Sequence, residues 1–221
     1  SVDAGWRVPH FEKMLYDQAQ LVLAFAEAAQ VSGDPFYAEV AEDTLLYVMR
    51  EMTDEGGGFY SAEDADSVPP EEAESPSAHK KEGACYLWRD AELDTLLGDD
   101  ARIVKLRFGV EPEGNAPQDP QQEFTGKNLL YVARSIDEIA KDAGTSPDDV
   151  VDILHRTRLK MFQCRLGRPR PERDDKILAA WNGLMIASLA KGAAILEDPR
   201  YRDAATRAAD SLRATRPALA A

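Results

Sequence analysis

Apolar residues recur at helical spacing near the start of the chain. They predict a helix over residues 10–31 whose apolar face has five members: Phe11, Leu15, Ala19, Val22 and Ala26. Gly33 ends this helix, and Asp34-Pro35 begins a second one whose apolar residues continue to Met52. The two helices together predict a helical hairpin.

A second copy of this hairpin lies 164 positions further along the chain. The pattern predicts a helix over residues 177–196 and another over residues 198–213. The copies share an Asp-Pro joint and, two residues after its proline, a tyrosine, Tyr37 in one copy and Tyr201 in the other. Repeated helical hairpins of this kind indicate an α/α toroid or solenoid.

Short strands and short helices are predicted between the two hairpins. Residues 58–67 have the pattern of a strand that runs into an acidic loop, and residues 84–88 that of a second strand pairing with it. Residues 68–81, rich in Pro, Glu and Ser, predict a mobile surface loop. Further helices are predicted over four ranges: 90–97, 101–108, 135–143 and 147–166, the last with Ser146 as its N-cap. The predicted fold class is mainly α with a small β-hairpin insertion.

Charge and cysteine content exclude several classes of function. The chain has 26 Lys and Arg residues against 40 Asp and Glu residues, a net charge of −14, which repels nucleic acid. No run of about 18 apolar residues is present, so no membrane-spanning helix is predicted. Cys85 and Cys164 lack CxxC spacing, which excludes a disulfide framework, a four-cysteine zinc site and a thioredoxin-type redox pair in this chain.

The two ends of the sequence lead to expectations about the location of the protein and about whether the chain is complete. The N-terminus has no initiator methionine and no basic segment followed by an apolar one. No signal peptide is therefore predicted, and the cytoplasm is the expected location. The sequence stops just after a helical pattern, so we expect a piece of a longer protein. Neither a metal ion nor another cofactor is predicted.

The first candidate site lies at the start of the first predicted helix and includes Trp6 as a candidate substrate-binding residue. On a helix, His10, Lys13 and Asp17 fall within about 60° of one another, on a face distinct from the apolar one. A histidine beside a carboxylate can act as a general acid or base near neutral pH. The structural alternative is a solvated helix start with a charge pair.

Two further polar motifs follow. Glu63, Asp64 and Asp66 place three carboxylates within four positions, which suits sugar hydroxyls, a cation or a catalytic acid, or else a solvated acidic loop. The third motif begins where the repeat places an aspartate at the position of His10, and it has five members: Asp174, Asp175, Lys176, Trp181 and Asn182. Tryptophan beside Asn and Asp is typical of a sugar pocket. The structural alternative is a core tryptophan and an N-cap aspartate.

Three long motifs in a fixed order carry a family resemblance: VPHFEKMLYDQ at 8–18, GGFYSAEDADS at 57–67 and DDKxLxxWNGLM at 174–185. Over nearly its whole length the chain resembles the YyaL-type proteins, which are related to the spermatogenesis-associated thioredoxin-like proteins of animals. The segments EGxxYxW at 82–88 and GKN at 126–128 fit the same pattern. Two positions depart from it: Glu172, where many relatives have histidine, and Cys85, where a bulky residue is frequent.

The resemblance implies an N-terminal thioredoxin-like domain followed by a six-hairpin, glycosidase-like (α/α)6 barrel. That barrel is similar to the barrels of N-acylglucosamine 2-epimerases and cellobiose 2-epimerases. Residues 1–221 then form a partial barrel, with the thioredoxin-like domain and the last hairpins outside the chain. The implied ligand is a small carbohydrate.

Four functions stay open at this point. A sugar epimerase needs a base that removes a proton beside a carbonyl, for which His10 is the best candidate. A glycoside hydrolase needs an acid and a second carboxylate. The candidates for those two roles are four aspartates: Asp64, Asp66, Asp174 and Asp175. A non-catalytic module would bind a partner or a thiol-redox client through an exposed apolar patch. A cation-binding scaffold would use the acidic loop around Glu63.

We predict that the three motifs line one pocket. His10 would transfer the proton, Lys13 or Asp17 would set its charge state, and Trp181 would stack on a sugar ring. Acid–base groups or hydroxyl acceptors would come from seven polar residues: Glu63, Asp64, Asp66, Asp174, Asp175, Lys176 and Asn182. Crowded carboxylates should raise the pKa of at least one of them.

Overall fold

The computed structural model describes residues 3–117, 119 and 122–215. In this part of the chain there are eight α-helices: α1 (Leu15–Ser32), α2 (Pro35–Glu51), α3 (Asp90–Leu97), α4 (Ala101–Phe108), α5 (Ile136–Ala143), α6 (Pro147–Leu166), α7 (Ala179–Ile195) and α8 (Pro199–Thr215). The strands are two residues each: β1 (Lys13–Met14), β2 (Ala62–Glu63), β3 (Asp66–Ser67), β4 (Lys81–Glu82) and β5 (Arg173–Asp174). The protein is mainly α with small antiparallel sheets, which confirms the predicted fold class.

The chain divides into two compact units, and each unit is built from two separate segments of the sequence. The first unit combines the described residues up to Phe11 with residues 65–171, and holds β3, β4 and helices α3 to α6. The second combines residues 12–64 with the described residues from Glu172 onwards, and holds β1, β2, β5 and the helices α1, α2, α7 and α8.

The predicted repeat is present in the second unit. Helix α7 begins 164 positions after α1, and α8 begins 164 positions after α2. The joints match as well, because Asp34 and Asp198 each accept a hydrogen bond at 2.9 Å from the backbone N–H two residues later. Just before them, Gly33 and Glu197 both have left-handed φ angles, of 71° and 55°. The two hairpins are therefore copies in local geometry as well as in sequence.

The hairpins of the second unit pack through α1, which contacts both α2 and α7, while α7 also contacts α8. Their shared core includes Leu15, Leu45, Met185, Leu189 and Tyr201, all fully buried. The opposite side of α7 is exposed and mostly apolar, formed by small residues and Leu184 together with one lysine: Ala180, Gly183, Leu184, Ala187, Lys191 and Ala194. A helix that is mostly apolar on every side is typical of a helix buried within a larger protein.

Three helices of the first unit have the predicted bounds, over residues 90–97, 101–108 and 147–166. Ser146 caps the last of them, because its hydroxyl accepts a hydrogen bond from the Asp149 N–H, and Asp149 reaches back to the Ser146 N–H. This reciprocal pair is a capping box. The fourth predicted helix is α5, which begins one residue late because Ser135 is its N-cap.

The buried guanidinium of Arg168 holds the first unit together. Its Nη1 donates to the carbonyl oxygens of Cys85 (2.9 Å) and Leu87 (2.7 Å), and its Nη2 donates to Glu92 (2.6 Å). The guanidinium carbon lies 3.8 Å from the ring centre of Trp88, a close cation–π contact. One side chain thus joins the turn at residues 83–86, helix α3 and the tryptophan of the core.

The predicted start of the first helix is wrong. Residues 13–14 are extended and pair with β2, with Lys13 opposite Glu63, so the helix begins only at Leu15. Phe11 belongs to a core of the first unit, where it stacks on Tyr86 at 5.8 Å between ring centres. His10, Lys13 and Asp17 therefore do not share a helix face.

The predicted strand at residues 84–88 is also wrong. The strand that pairs with the acidic segment is β4, with Glu82 opposite Asp66. Gly83 then takes a left-handed φ of 69°, and the Tyr86 N–H donates to its carbonyl at 2.7 Å, which makes a turn. The chain returns to extended pairing only at Trp88, which forms an isolated bridge with Asn128.

Candidate functional site

The second unit brings three of the predicted motifs together in one sheet. Strand β2 lies in the centre, with β1 on one side and β5 on the other. Across this sheet Glu63 is opposite both Lys13 and Arg173, and Ala62 is opposite Asp174. The pairing continues beyond β2, because the Asp64 N–H donates to the Glu172 carbonyl at 2.8 Å.

Lys13 and Glu63 form a largely buried ion pair across the strands. The Lys13 Nζ lies 3.2 Å from Glu63 Oε1, and the side chains are 18% and 6% exposed. Charges this far from water are maintained only when they are paired, because losing hydration costs several kcal/mol per ion. These two predicted binding residues are therefore in contact, and their ion pair is part of the structure of the sheet.

Asp174 is held as an ionised carboxylate. The Nζ of Lys176 donates to both of its oxygens, at 3.0 and 2.9 Å, and these hydrogen bonds lower the pKa of Asp174. The sequence suggested a raised carboxyl pKa in this group of residues, and for Asp174 the direction is opposite. A carboxylate with a lowered pKa cannot serve as a proton donor near pH 7. Asp64, Asp175 and Lys176 are exposed beside it.

Two of the predicted sugar-binding residues of α7 have structural partners. The Asn182 amide is fully buried, accepts from the Phe59 N–H at 2.8 Å and donates to the Phe59 carbonyl at 2.9 Å. The polar atoms of the Asn182 side chain therefore form hydrogen bonds with the backbone. Trp181 packs against the core of the hairpins and makes an edge-on contact with Tyr16 at 4.8 Å. Asp17 is exposed on α1.

The first unit contains an arrangement suited to proton transfer. His10 Nδ1 lies 2.9 Å from Glu82 Oε1, and the same oxygen accepts the Phe11 N–H at 3.2 Å. A carboxylate only accepts, so Nδ1 carries the hydrogen and the basic lone pair lies on Nε2. The histidine side chain is 55% exposed. An oriented imidazole that solvent can reach is the basic requirement for a general base.

Asp66 lies next to the histidine–glutamate pair. It is directly opposite Glu82 in the β3–β4 ribbon, and paired residues of an antiparallel ladder project from the same face. Trp6, also in this unit, is 82% exposed with a left-handed φ of 56°. The Asp3 carboxylate fixes this turn by accepting the N–H groups of Gly5, Arg7 and Val8.

The twelve predicted site residues thus fall into two sets. Three lie in the first unit: Trp6, His10 and Asp66. Nine lie in the second: Lys13, Asp17, Glu63, Asp64, Asp174, Asp175, Lys176, Trp181 and Asn182. One pocket lined by both sets stays a prediction.

Sequence reasoning did not assign a role to Glu82, the partner of His10. The signal was the EGxxYxW segment, in which a glutamate precedes a glycine that must adopt a positive φ. Residues 68–81 were predicted only as a mobile loop, yet Glu71 from this segment is fixed. Its Oε1 lies 2.9 Å from Lys127 Nζ and 3.0 Å from Arg89 Nη2.

Gly83 controls the position of Phe11, the residue next to His10. A Cβ on Gly83 would lie 2.5 Å from the Phe11 ring, and Gly83 also has a φ of 69°. We expect Gly83→Ala to lower the free energy of unfolding by about 1–3 kcal/mol through this clash, in addition to the backbone cost. Urea unfolding of Gly144→Ala isolates that backbone cost, because Gly144 has the same φ and open space around it. Equal losses in the two variants would show that the Phe11 contact is unimportant.

The ion cluster at Glu71 predicts a pH-dependent contribution to stability. Burial raises the pKa of Glu71, but hydrogen bonds from Lys127, its own backbone and Arg89 outweigh burial and lower the pKa from 4.5 to about 2. The contribution is therefore fully present above pH 4.5 and lost as the pH falls towards 2.

We expect Glu71→Gln to lower the Tm modestly at pH 7, since a half-exposed pair contributes at most about 1 kcal/mol. The Tm difference from the wild type should shrink between pH 4.5 and pH 2. A difference that stays constant over this range would contradict the assignment of the low pKa to this contact.

Within the described part of the chain, no group of three or more His, Cys, Asp and Glu side chains is arranged to hold a metal ion. No helix in the same part is both long and apolar enough to cross a membrane.

This mainly helical protein is similar in sequence to several proteins that have names. Spermatogenesis-associated protein 20 from Homo sapiens is 43% identical to the chain over 225 residues, which cover 96% of the chain and 28% of the relative. The proteins of that name from Mus musculus and Rattus norvegicus are 42% and 39% identical, over 89% and 96% of the chain. No protein-family model matches the chain.

These identities relate the chain to the family of spermatogenesis-associated protein 20. The similarity extends over nearly all of the chain, as did the resemblance of its motifs. The chain spans 26% to 28% of the length of these three relatives, so it corresponds to about a quarter of each.

Proposed function

We propose that the chain is part of a carbohydrate-active protein in which His10 transfers a proton at the carbon beside a sugar carbonyl, as a sugar epimerase does. The observation that supports this proposal most strongly is the contact between His10 Nδ1 and Glu82 Oε1 at 2.9 Å, on an imidazole that is half exposed. A histidine held by a carboxylate is a suitable base at neutral pH.

In the proposed reaction, Nε2 of His10 takes the proton from C2 of an aldose whose ring has opened. The electrons of the broken C–H bond move towards the carbonyl oxygen and give an enediolate. Glu82 keeps Nδ1 protonated and stabilises the imidazolium that forms. A water molecule on the opposite face of C2 donates the proton that gives the epimer, and His10 passes its proton to the hydroxide that remains, with no net oxidation or reduction. Asp66, beside Glu82 in the ribbon, would accept a hydroxyl hydrogen of the sugar.

The state of Asp174 removes one of the four candidate aspartates from the acid role of a glycoside hydrolase. A glycosidase needs a carboxylic acid that is protonated at working pH. Lys176 lowers the pKa of Asp174, which makes it a poor candidate for that role.

The proposal places the chain in a longer (α/α)6 barrel that follows a thioredoxin-like domain in the cytoplasm. Two features support the barrel: the hairpin copies repeat with matched joints, and α7 exposes an apolar side that a further helix would cover. The thioredoxin-like domain and the carbohydrate ligand come from the family resemblance alone.

A non-catalytic binding module is the second candidate function. The exposed apolar side of α7, with Leu184 41% exposed, favours it, because such surfaces bind other polypeptides. In that case the protein that contains this chain would bind a partner through α7, and replacing His10 would have no functional effect.

A panel of reducing monosaccharides and disaccharides tests the proposal on the complete protein. We expect one or more reducing sugars to raise the Tm and to be converted into a C2 epimer, detected by chromatography. Release of monosaccharides from a disaccharide would instead support a hydrolase. Absence of both reactions, with binding of a protein partner that is lost in Leu184→Arg, would support the binding module.

A further inference from the structure

A cleft of about 270 Å³ lies in the first unit, and none of its residues has a role in the proposed proton transfer. Its floor is apolar, with Pro70, Ala84 and Leu87. Its polar wall consists of Glu71, Arg89, Glu92 and Lys127.

The polar wall of the cleft has more positive charges than negative charges available to pair with them. Glu92 is neutralised by Arg168 at 2.6 Å. Lys127 and Arg89 then share a single carboxylate oxygen, Oε1 of Glu71, at 2.9 and 3.0 Å. One positive charge is therefore left over in the cleft of a chain whose net charge is −14. This excess positive charge would attract an anion into the cleft.

The side chain of Lys127 is buried, unlike the side chains of surface lysines. Its side chain is only 8% exposed, although an ammonium is among the most costly groups to remove from water. An ammonium has three hydrogens to donate, and its contact with Glu71 needs only one of them. Because Lys127 lies on the wall of the cleft, its remaining ammonium hydrogens can be donated to a molecule in the cleft.

Glu71 occupies the place that the oxygen of a bound anion would take. It projects from the segment between β3 and β4, which is rich in Pro, Glu and Ser, and its side chain is 44% exposed. Its contacts with Lys127 and Arg89 contribute at most about 1 kcal/mol because the carboxylate is half exposed, so a more strongly bound anion can displace it.

We propose that this cleft binds a small molecule with an oxyanion group, a phosphate or a carboxylate, between Lys127 and Arg89, with Glu71 as the internal anion that the ligand displaces. Arginine and lysine together bind such groups through short charge-assisted hydrogen bonds. Pro70, Ala84 and Leu87 contact the carbon part of the ligand. The site does not depend on the proton-transfer proposal.

Titration calorimetry with inorganic phosphate and with acetate, at matched ionic strength, tests the site on the complete protein. Removing the internal anion should strengthen binding, so we expect Glu71→Gln to bind at least one of the two anions about tenfold more tightly than the wild type. The matched control is Glu72→Gln, which removes the same charge from the neighbouring residue. Glu72 pairs with Lys81 and does not line the cleft, so this variant should bind like the wild type. The anion with the higher affinity identifies the natural group as a phosphate or a carboxylate.

Lys127→Met in the Glu71→Gln background should abolish the binding, and Lys127→Arg should restore part of it. If Lys127→Met does not fold, the comparison of Glu71→Gln with Glu72→Gln still decides the question, since it rests on a gain of affinity. No binding of either anion to Glu71→Gln at millimolar concentrations would overturn the proposal. Equal gains in Glu71→Gln and Glu72→Gln would overturn it as well, because they would indicate a general charge effect.

Discussion

Replacing Arg168 by methionine is expected to lower the free energy of unfolding by about 3–5 kcal/mol. The substitution keeps an apolar chain of similar length and removes the guanidinium. The carbonyls of Cys85 and Leu87 then each lose a donor inside the protein, Glu92 loses its ion-pair partner and Trp88 loses the cation over its ring. The hydrogen bonds that these buried polar groups lose account for most of the expected loss.

Urea unfolding measures this effect, with Arg156→Met as the matched control. Arg156 also forms a two-bond pair with an aspartate, Asp100, but its side chain is 51% exposed. Exposed pairs contribute at most about 1 kcal/mol, so Arg156→Met should be nearly as stable as the wild type. Similar losses in the two variants would show that burial of the Arg168 network has little importance.

The second large effect is expected on activity. His10→Asn should lower the rate of sugar epimerisation by about 10²–10⁴-fold, the usual contribution of a general base, while changing the Tm little because the side chain is half exposed. His155→Asn is the matched control, since His155 is exposed on α6 and has no role in the proposed reaction. Unchanged activity in His10→Asn would remove His10 from the mechanism.

Variants of Glu82 separate orientation from charge. Glutamine at position 82 still accepts the Nδ1 hydrogen but has no charge to stabilise the imidazolium, whereas alanine does neither. We therefore expect the activity to fall in the order wild type, Glu82→Gln, Glu82→Ala, with a larger effect on kcat than on KM. Equal activity in all three would mean that the contact at 2.9 Å is not used in the reaction.

The sequence was sufficient to predict most helices because their signals are local. Asp34-Pro35, Asp198-Pro199 and Ser146 mark helix starts through hydrogen bonds within a few residues, and the structure places helices at all three. The shared Asp-Pro joint and the tyrosine that follows it also predicted the repeat correctly. These elements need no knowledge of distant partners.

Residues 10–14 show where local signals stop being sufficient. Phe11 matches the helical period of Leu15, yet it packs with Tyr86 in another core, and Lys13 pairs with Glu63 across a sheet. His10 likewise obtains its carboxylate from Glu82, 72 positions away. A pattern along the chain cannot reveal such pairings, so the sequence selected His10 but did not identify the group that orients it.

The most direct test of the proposed proton transfer is the deuterium content at C2 of a reducing sugar incubated with the complete protein in heavy water. Because the base exchanges its proton with solvent, the sugar and its epimer should both gain deuterium at C2, read by proton NMR. His155→Asn should give the same result, and His10→Asn should give none. Epimerisation or exchange that continues unchanged in His10→Asn, or a bound sugar that never gains deuterium with the wild type, would contradict the account.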